Sequence, residues 1–244
     1  MIETIIPDWP APAHVKAHTT TRQGGLSTEA YTSLNLAAHV GDDPQTVLAN
    51  RQLLKQTLNL PNEPCWLTQV HSIEVVSSHT ATLDRPADAV YTHQTNQICV
   101  VLTADCLPVL FCDQQGTWVA AAHAGWRGLA NGILENTVRS AHIPPNEMLA
   151  WLGPAIGPEM FEVGDEVRQA FIHVLPEASK AFKPSQNGRW LADLYLLAKQ
   201  RLQQQGVMNI FGGDFCTYTD EQRFYSYRRD KVTGRMASLI WLDE

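Results

Sequence analysis

The sequence predicts an α+β fold in a single domain spanning residues 1–244. Three observations carry that prediction. Short β-type runs at 65–70, 73–77, 98–103, 109–112 and 118–123 follow one another with no helix between them, unlike the alternation of a doubly wound parallel sheet. Helix-type segments sit apart from these runs, starting near residue 43 and again after residue 125. Neither an internal repeat nor a low-complexity linker divides the chain, and 244 residues suffice to bury a large core.

Taken in order, residues 14–22 read as a strand rich in Thr and Val, ended by the turn pair Gly24-Gly25. Asp43 can cap the free amides of a helix that begins at Pro44. Val47, Leu48, Leu54 and Leu58 supply its apolar face, with Asn50 and Arg51 beside it. The runs 109–112 and 118–123 are separated by the turn Gln114-Gln115-Gly116. Residues 125–128 lead into a helix that reaches about Ser140. Further helices are expected at 165–174 and 190–204, the latter stopped by Gly206. Strands at 207–211 and 236–241 complete the chain.

Composition narrows the function classes. With 44% hydrophobic and 18% charged residues the protein should pack as an ordinary globular chain. Its net charge of −7 opposes general attraction to a phosphate backbone, which argues against nucleic acid as a partner. Residues 1–13 lack the basic and apolar regions of a secretory signal. The longest apolar stretch, 98–111, is broken by Thr103, Asp105 and Pro108, too short for the ~20 residues of a membrane span. A cytoplasmic protein is expected, with no membrane partner. The five cysteines form an odd set without a CxxC pair, so thiols are expected in place of disulfides.

Three runs end in metal-competent side chains: Gln69-Val70-His71, Thr103-Ala104-Asp105-Cys106-Leu107-Pro108, and His123-Ala124-Gly125-Trp126-Arg127-Gly128. Their separations, 106 − 71 = 35 and 123 − 106 = 17, are too long for a zinc finger or a helical HExxH pair. A site made from them is assembled by folding, at strand ends. Imidazole and thiolate suit zinc, and three protein ligands leave a fourth position for water or substrate. Copper shares the Cys and two-His set, yet after Cys106 the next His is His123 and the next Met is Met148. No HxH pair occurs anywhere, so copper ranks below zinc. A metal-free reading makes Cys106 a nucleophile with His71 or His123 as its base and Asp105 as orienter, although adjacent strand residues point to opposite faces. Spacing alone also allows ordinary structural histidines and a buried thiol.

Other residues read two ways. The 125–128 loop offers backbone amides to an anion, with Arg127 adding charge, or is a plain turn. Phe224-Tyr225-Ser226-Tyr227-Arg228-Arg229-Asp230 sets aromatics beside two arginines, which suits a flat base or an anion, or is a surface strand with an ion pair. Asn35, alone among the leucines of Ser33-Leu34-Asn35-Leu36, is either a turn residue or a pocket hydrogen-bonder.

These pieces, in order with Gly41-Asp42-Asp43, Gly153-Pro154-Ala155-Ile156-Gly157, Phe161-Glu162-Val163-Gly164, Cys216-Thr217 and Thr233-Gly234-Arg235, resemble the laccase-domain (YfiH-like) family from about residue 19 to the C-terminus. The resemblance implies zinc held by His71, Cys106 and His123. It implies two sheets sandwiched between helices, a four-layer α/β/β/α fold similar to the catalytic domain of cytotoxic necrotizing factors. It further implies phosphorolysis of adenosine, inosine and methylthioadenosine, with adenosine deamination as a side activity and an association with peptidoglycan editing. On that chemistry Arg127 or Arg228 would hold phosphate, Tyr227 or Phe224 would stack the base, and Asp105 or Glu162 would shuttle a proton. The H-x-E…P-C-x-x-C signature of nucleobase deaminases is absent. Purine nucleosides and phosphate are thus the expected partners, and no protein partner is legible. Two alternatives stay open: a cysteine-type amidohydrolase or editing enzyme acting on peptidoglycan precursors, and a non-catalytic zinc-stabilised binding protein.

Overall fold

In the computed structural model, which describes residues 2–80 and 86–244, strands β1 (Thr4–Ile5) and β2 (Val15–Thr20) precede helix α1 (Pro44–Thr57). Then β3 (Val75–Ser77), β4 (Ala89–Thr92), β5 (Cys99–Thr103), β6 (Leu107–Asp113) and β7 (Val119–Ala124) run in succession. Helices α2 (Trp126–Asn131) and α3 (Ile133–Ser140) lead to β8 (Met148–Leu152), β9 (Glu162–Val163) and α4 (Asp165–Val174). The remainder holds β10 (Phe182–Pro184), β11 (Trp190–Ala192), α5 (Leu194–Gln204), β12 (Asn209–Gly212), the short α6 (Tyr227–Asp230) and β13 (Met236–Leu242). One sheet has the order β1-β2-β13-β5 and is antiparallel throughout. A six-stranded sheet, β12-β8-β6-β7-β4-β3, is antiparallel except at its two outermost pairs. A small third sheet, β10-β11-β9, lies outside both.

Side-chain alternation sorts these elements into layers. Cys99 and Val101 of β5, Ile240 and Leu242 of β13, Leu110 and Cys112 of β6, and Val119 and Ala121 of β7 share one core between the two large sheets. The opposite faces turn outward onto helices. Val100, Leu102, Leu239 and Trp241 pack with Leu34, Leu36 and Leu54 of α1. Leu107, Val109, Phe111, Ala120 and Ala122 pack with Leu129, Ile133, Leu197 and Leu202 on α2, α3 and α5. The result is four layers, α/β/β/α, with both sheets covered on both faces. Such double burial explains why β5, β6 and β7 read as nearly unbroken apolar runs.

Several local expectations are corrected. The 65–70 run forms no ladder beyond a single bridge from Cys65 to Cys99. Instead the Gln69 side-chain amide bonds the β5 backbone, donating to Leu102 O at 2.8 Å and accepting from Leu102 N at 2.7 Å. The helix expected through Ser140 is broken at Gly132, whose φ of 109° is left-handed. Residues 190–192 belong to β11, and α5 starts only after Asp193, which caps it through Leu196 N at 2.9 Å. Leu48 faces solvent at 50% exposure while Asn50 is buried, bonding Leu26, Ser27 and Asn35. Strands β4 and β8 were not expected. Met148-Leu149-Ala150-Trp151-Leu152 has no β-branched residue, so burial in the sheet overrides its helical propensity. Among the described residues no helix is long and apolar enough to cross a membrane.

Helices α3 and α5 are joined by a buried ion pair, Glu135 with Arg201, in which Glu135 Oε2 and Arg201 Nη1 lack hydrogen-bond partners among the described residues. Breaking a buried pair strands a charge, whereas replacing both partners does not. In urea titrations Arg201→Met should lose about 3–5 kcal/mol of stability. Adding Glu135→Leu should restore most of it, and a double variant as unstable as the single one would contradict this reading.

Candidate metal centre

Register brings two of the candidate ligands, Cys106 and His123, together. Leu107 of β6 pairs with Ala124 of β7, and Pro108 with His123. Cys106 and Gly125 are therefore the next residues beyond the ladder's end, and Cys106 lies diagonally across from His123. The 17-residue separation is simply the contour of this hairpin. His71 arrives from a different segment, the loop between Gln69 and β3. The metal-competent atoms of His71, Cys106 and His123 all lie within 4.8 Å of one another. The two imidazoles meet edge-on, with ring centroids 4.7 Å apart at 64°.

A residue that the sequence reading missed holds both histidines. Ala89 of β4 pairs with Ala122 of β7, so Asp88 stands opposite His123. Its backbone oxygen accepts from His123 N at 2.7 Å, and its carboxylate accepts from His123 Nδ1 at 2.8 Å. With Nδ1 engaged, Nε2 is left for a cation. The same carboxylate accepts from the backbone N–H groups of Val70, His71 and Ser72 at 3.2, 3.0 and 2.6 Å, and from Ser72 Oγ at 2.7 Å. These bonds hold His71 in the left-handed region at φ 60°, uncommon for a residue with a side chain. Burial works to raise the Asp88 pKa, but the hydrogen bonds from His123 and Ser72 prevail and hold it at about 2. For His123 burial pulls downward, while the Cys106 sulfur and the Asp88 carboxylate bring it up to about 9. Burial and the neighbouring His123 lower His71.

The residues present fit a soft divalent ion. A thiol and two imidazoles are a zinc or copper donor set. Gly125 leaves room for it: a Cβ there would sit 2.5 Å from His71 Nδ1 and 3.1 Å from Cys106 Sγ. His71, Cys106 and His123 all line a cavity of about 500 Å³, and a metal held by three protein side chains would keep a further position for water or substrate.

That cavity is lined by these three side chains together with His39, Gln69, Thr103, Trp126, Arg127, Tyr227 and Arg235, among others, and by no Asp or Glu among the described residues. Arg127 and Tyr227, two of the expected substrate residues, thus both line this cavity. Five other expected site residues are engaged elsewhere. Asp105, at φ 82°, accepts from Thr217 Oγ1 at 2.7 Å and from Arg228 N at 2.6 Å, pinning the turn that carries Cys106. Arg228 spends its guanidinium on Glu162 O at 2.9 Å and lies over the Phe161 ring. Asn35 is fully buried and bonds Ala37, Asp42 and the backbone N–H of Arg235. Phe224 is core, and Glu162 is bonded to Ser185 and Arg189. His39 was not picked out, and Trp126 and Arg235 were named only within family-matching pieces, without a role. Arg235 carried a signal, an Arg placed just before a long apolar strand.

A family model described as multi-copper polyphenol oxidoreductase laccase matches residues 16–243. A Pseudomonas aeruginosa protein named Purine nucleoside phosphorylase PA4543 is 55% identical over 241 residues, covering 98% of each chain. The Purine nucleoside phosphorylase YfiH of Escherichia coli strain K12 is 55% identical over 244 residues, covering 99% of this chain and 100% of its own. The crystal structure of Neisseria meningitidis protein NMB0706 superposes with a TM-score of 0.95 at 52% identity, covering 99% of each chain.

Removing an orienting carboxylate behind a metal-binding imidazole typically weakens metal binding about 10–100-fold. Asp88→Asn should do so here, read by competition with a chromophoric chelator at unchanged far-UV circular dichroism. Gly125→Ala should lose at least as much, because its methyl enters the space of the His71 ring. Wild-type affinity in Gly125→Ala would remove His71 from the ligand set.

Proposed function

The chain belongs to the laccase-domain (YfiH-like) family, and on that premise we propose that it is a zinc-dependent purine nucleoside phosphorylase. Adenosine, inosine and methylthioadenosine react with phosphate to give the free base and the sugar 1-phosphate. The observation that carries this reading is the three-ligand centre opening into a cavity of about 500 Å³ walled by cations and aromatics. That volume suits a small ligand such as a nucleoside. Zinc, when bound there, supplies a Lewis acid for an oxygen of the substrate.

The chain's own residues do the rest. Trp126 and Tyr227 offer flat faces for the purine, and Tyr227 stands 53% exposed at the rim. Arg127 adds positive charge from the first turn of α2. Asp88 keeps His123 in the tautomer that presents Nε2, and Asp105 fixes the turn behind Cys106. Adenosine deamination is the minor reaction in this reading, because no carboxylate among the described residues lines the cavity to shuttle protons.

A second reading is favoured by one observation. Cys106, His123 and Asp88 also form a nucleophile, base and orienter series, the arrangement of a cysteine hydrolase. That reading requires full activity in metal-free protein.

Purified, zinc-loaded protein incubated with inosine should release hypoxanthine only when phosphate is present, as read by chromatography. Cys106→Ala, prepared identically, should fall to background. Chelation should abolish release and zinc should restore it. Activity that survives chelation would sink the metal mechanism in favour of the cysteine one.

A further inference from the structure

Arg235 reaches the cavity by register. Met236 of β13 pairs with Thr103 of β5, so Arg235 stands beside Ala104, one step beyond the ladder and next to the turn that carries Cys106. Arg127 approaches from α2, which packs on the other large sheet. Two arginines from separate layers therefore line one cavity.

Arg235 is held before any ligand arrives. Its backbone N–H donates to Asn35 Oδ1 at 3.0 Å, and Nη1 donates to Thr233 O and Gly234 O at 2.8 and 3.0 Å. Asn35 is anchored in turn through Ala37 and Asp42. No bond within the described residues occupies Nε or Nη2. Neither Arg235 nor Arg127 forms an ion pair with a described acid. Cys106 and Asp105 act on Arg235 only through space. In a chain of net charge −7, two arginines without an ion-pair partner among the described acids, in a cavity with no carboxylate among its described lining residues, are an unmet demand for an anion.

We propose that Arg235, together with Arg127, is the phosphate-binding subsite, with Asn35 as the positioning residue that aims Arg235. This rests on the phosphorolysis reading for its substrate and on the geometry for its location. A planar guanidinium with one edge fixed presents its other N–H donors to two oxygens of a tetrahedral oxyanion without losing much side-chain freedom. The ligand class is inorganic phosphate, and the purine end of the nucleoside is left to the aromatic wall.

The test has a binding arm and a kinetic arm, both on the zinc-loaded full chain. Calorimetric titration with inorganic phosphate should give an affinity about 10- to 100-fold weaker in Arg235→Gln than in wild type. Arg235→Lys, which keeps charge but loses the fork, should fall between. In turnover the KM for phosphate should rise by a like factor while the KM for inosine and the zinc content stay at wild-type values. Equal phosphate affinity in wild type and Arg235→Gln overturns the subsite, as does an inosine KM that rises as much as the phosphate KM. If Arg235→Gln does not fold, Arg235→Lys decides by the same criteria. Phosphate binding that depends on Arg235 without any turnover would sink phosphorolysis and leave the anion site standing. Turnover with an unshifted phosphate KM would do the reverse.

Discussion

A carboxylate buried between two sheets must find enough donors to replace its lost water, and for Asp88 the donors that satisfy it are the ones that build the centre. Three consecutive backbone amides curl around one side of it and the His123 ring closes the other. That curl is the left-handed turn at His71. One imidazole is thus aimed by a direct bond and the other by the backbone path that the same group imposes. Removing the charge would leave the loop before β3 with no reason to bend toward β7.

The two large sheets matter because they make this arrangement rigid. His123 leaves β7 on the same face as Val119 and Ala121, whose side chains fill the core between the sheets. The centre is therefore the open end of that core. Its floor is packed side chains, and its walls come from the β5–β6 turn, the start of α2 and the residues around α6. Asp105 ties two of those walls together, since its carboxylate receives both Thr217 and the first turn of α6.

The layers and the clustering of His71, Cys106 and His123 were legible in the sequence for different reasons. Strands buried on both faces announce themselves as apolar runs, and Asp43-Pro44 marks its helix start by capping chemistry alone. The His71, Cys106 and His123 trio stood out because His and Cys recur at the ends of apolar runs in the sequence, although the run before His71 forms no strand. Asp88 did not, because an acid between Ala87 and Ala89 looks like a loop residue until β4 is laid against β7. The Gln69 amide was equally silent, since a side chain standing in for a strand's backbone leaves no periodic trace. Asp105, Arg228 and Asn35 were expected to act in the site, yet none of them lines the cavity and each is bonded behind its wall. A polar residue in an apolar setting signals an obligation to bond, without telling which side of the wall it serves.

The hairpin register also changes what the gap between Cys106 and His123 means. Their proximity depends on Leu107 lying opposite Ala124, and the far turn around Gln114-Gln115-Gly116 takes no part in it. The ladder works as a ruler laid from the closed end. Residues added or removed at that tip alter the count between cysteine and histidine but leave their geometry alone, whereas a slip of one residue within the ladder turns His123 to the opposite face. A search that fixes the interval at 17 would miss sound sites, and one that matches pairing would find them.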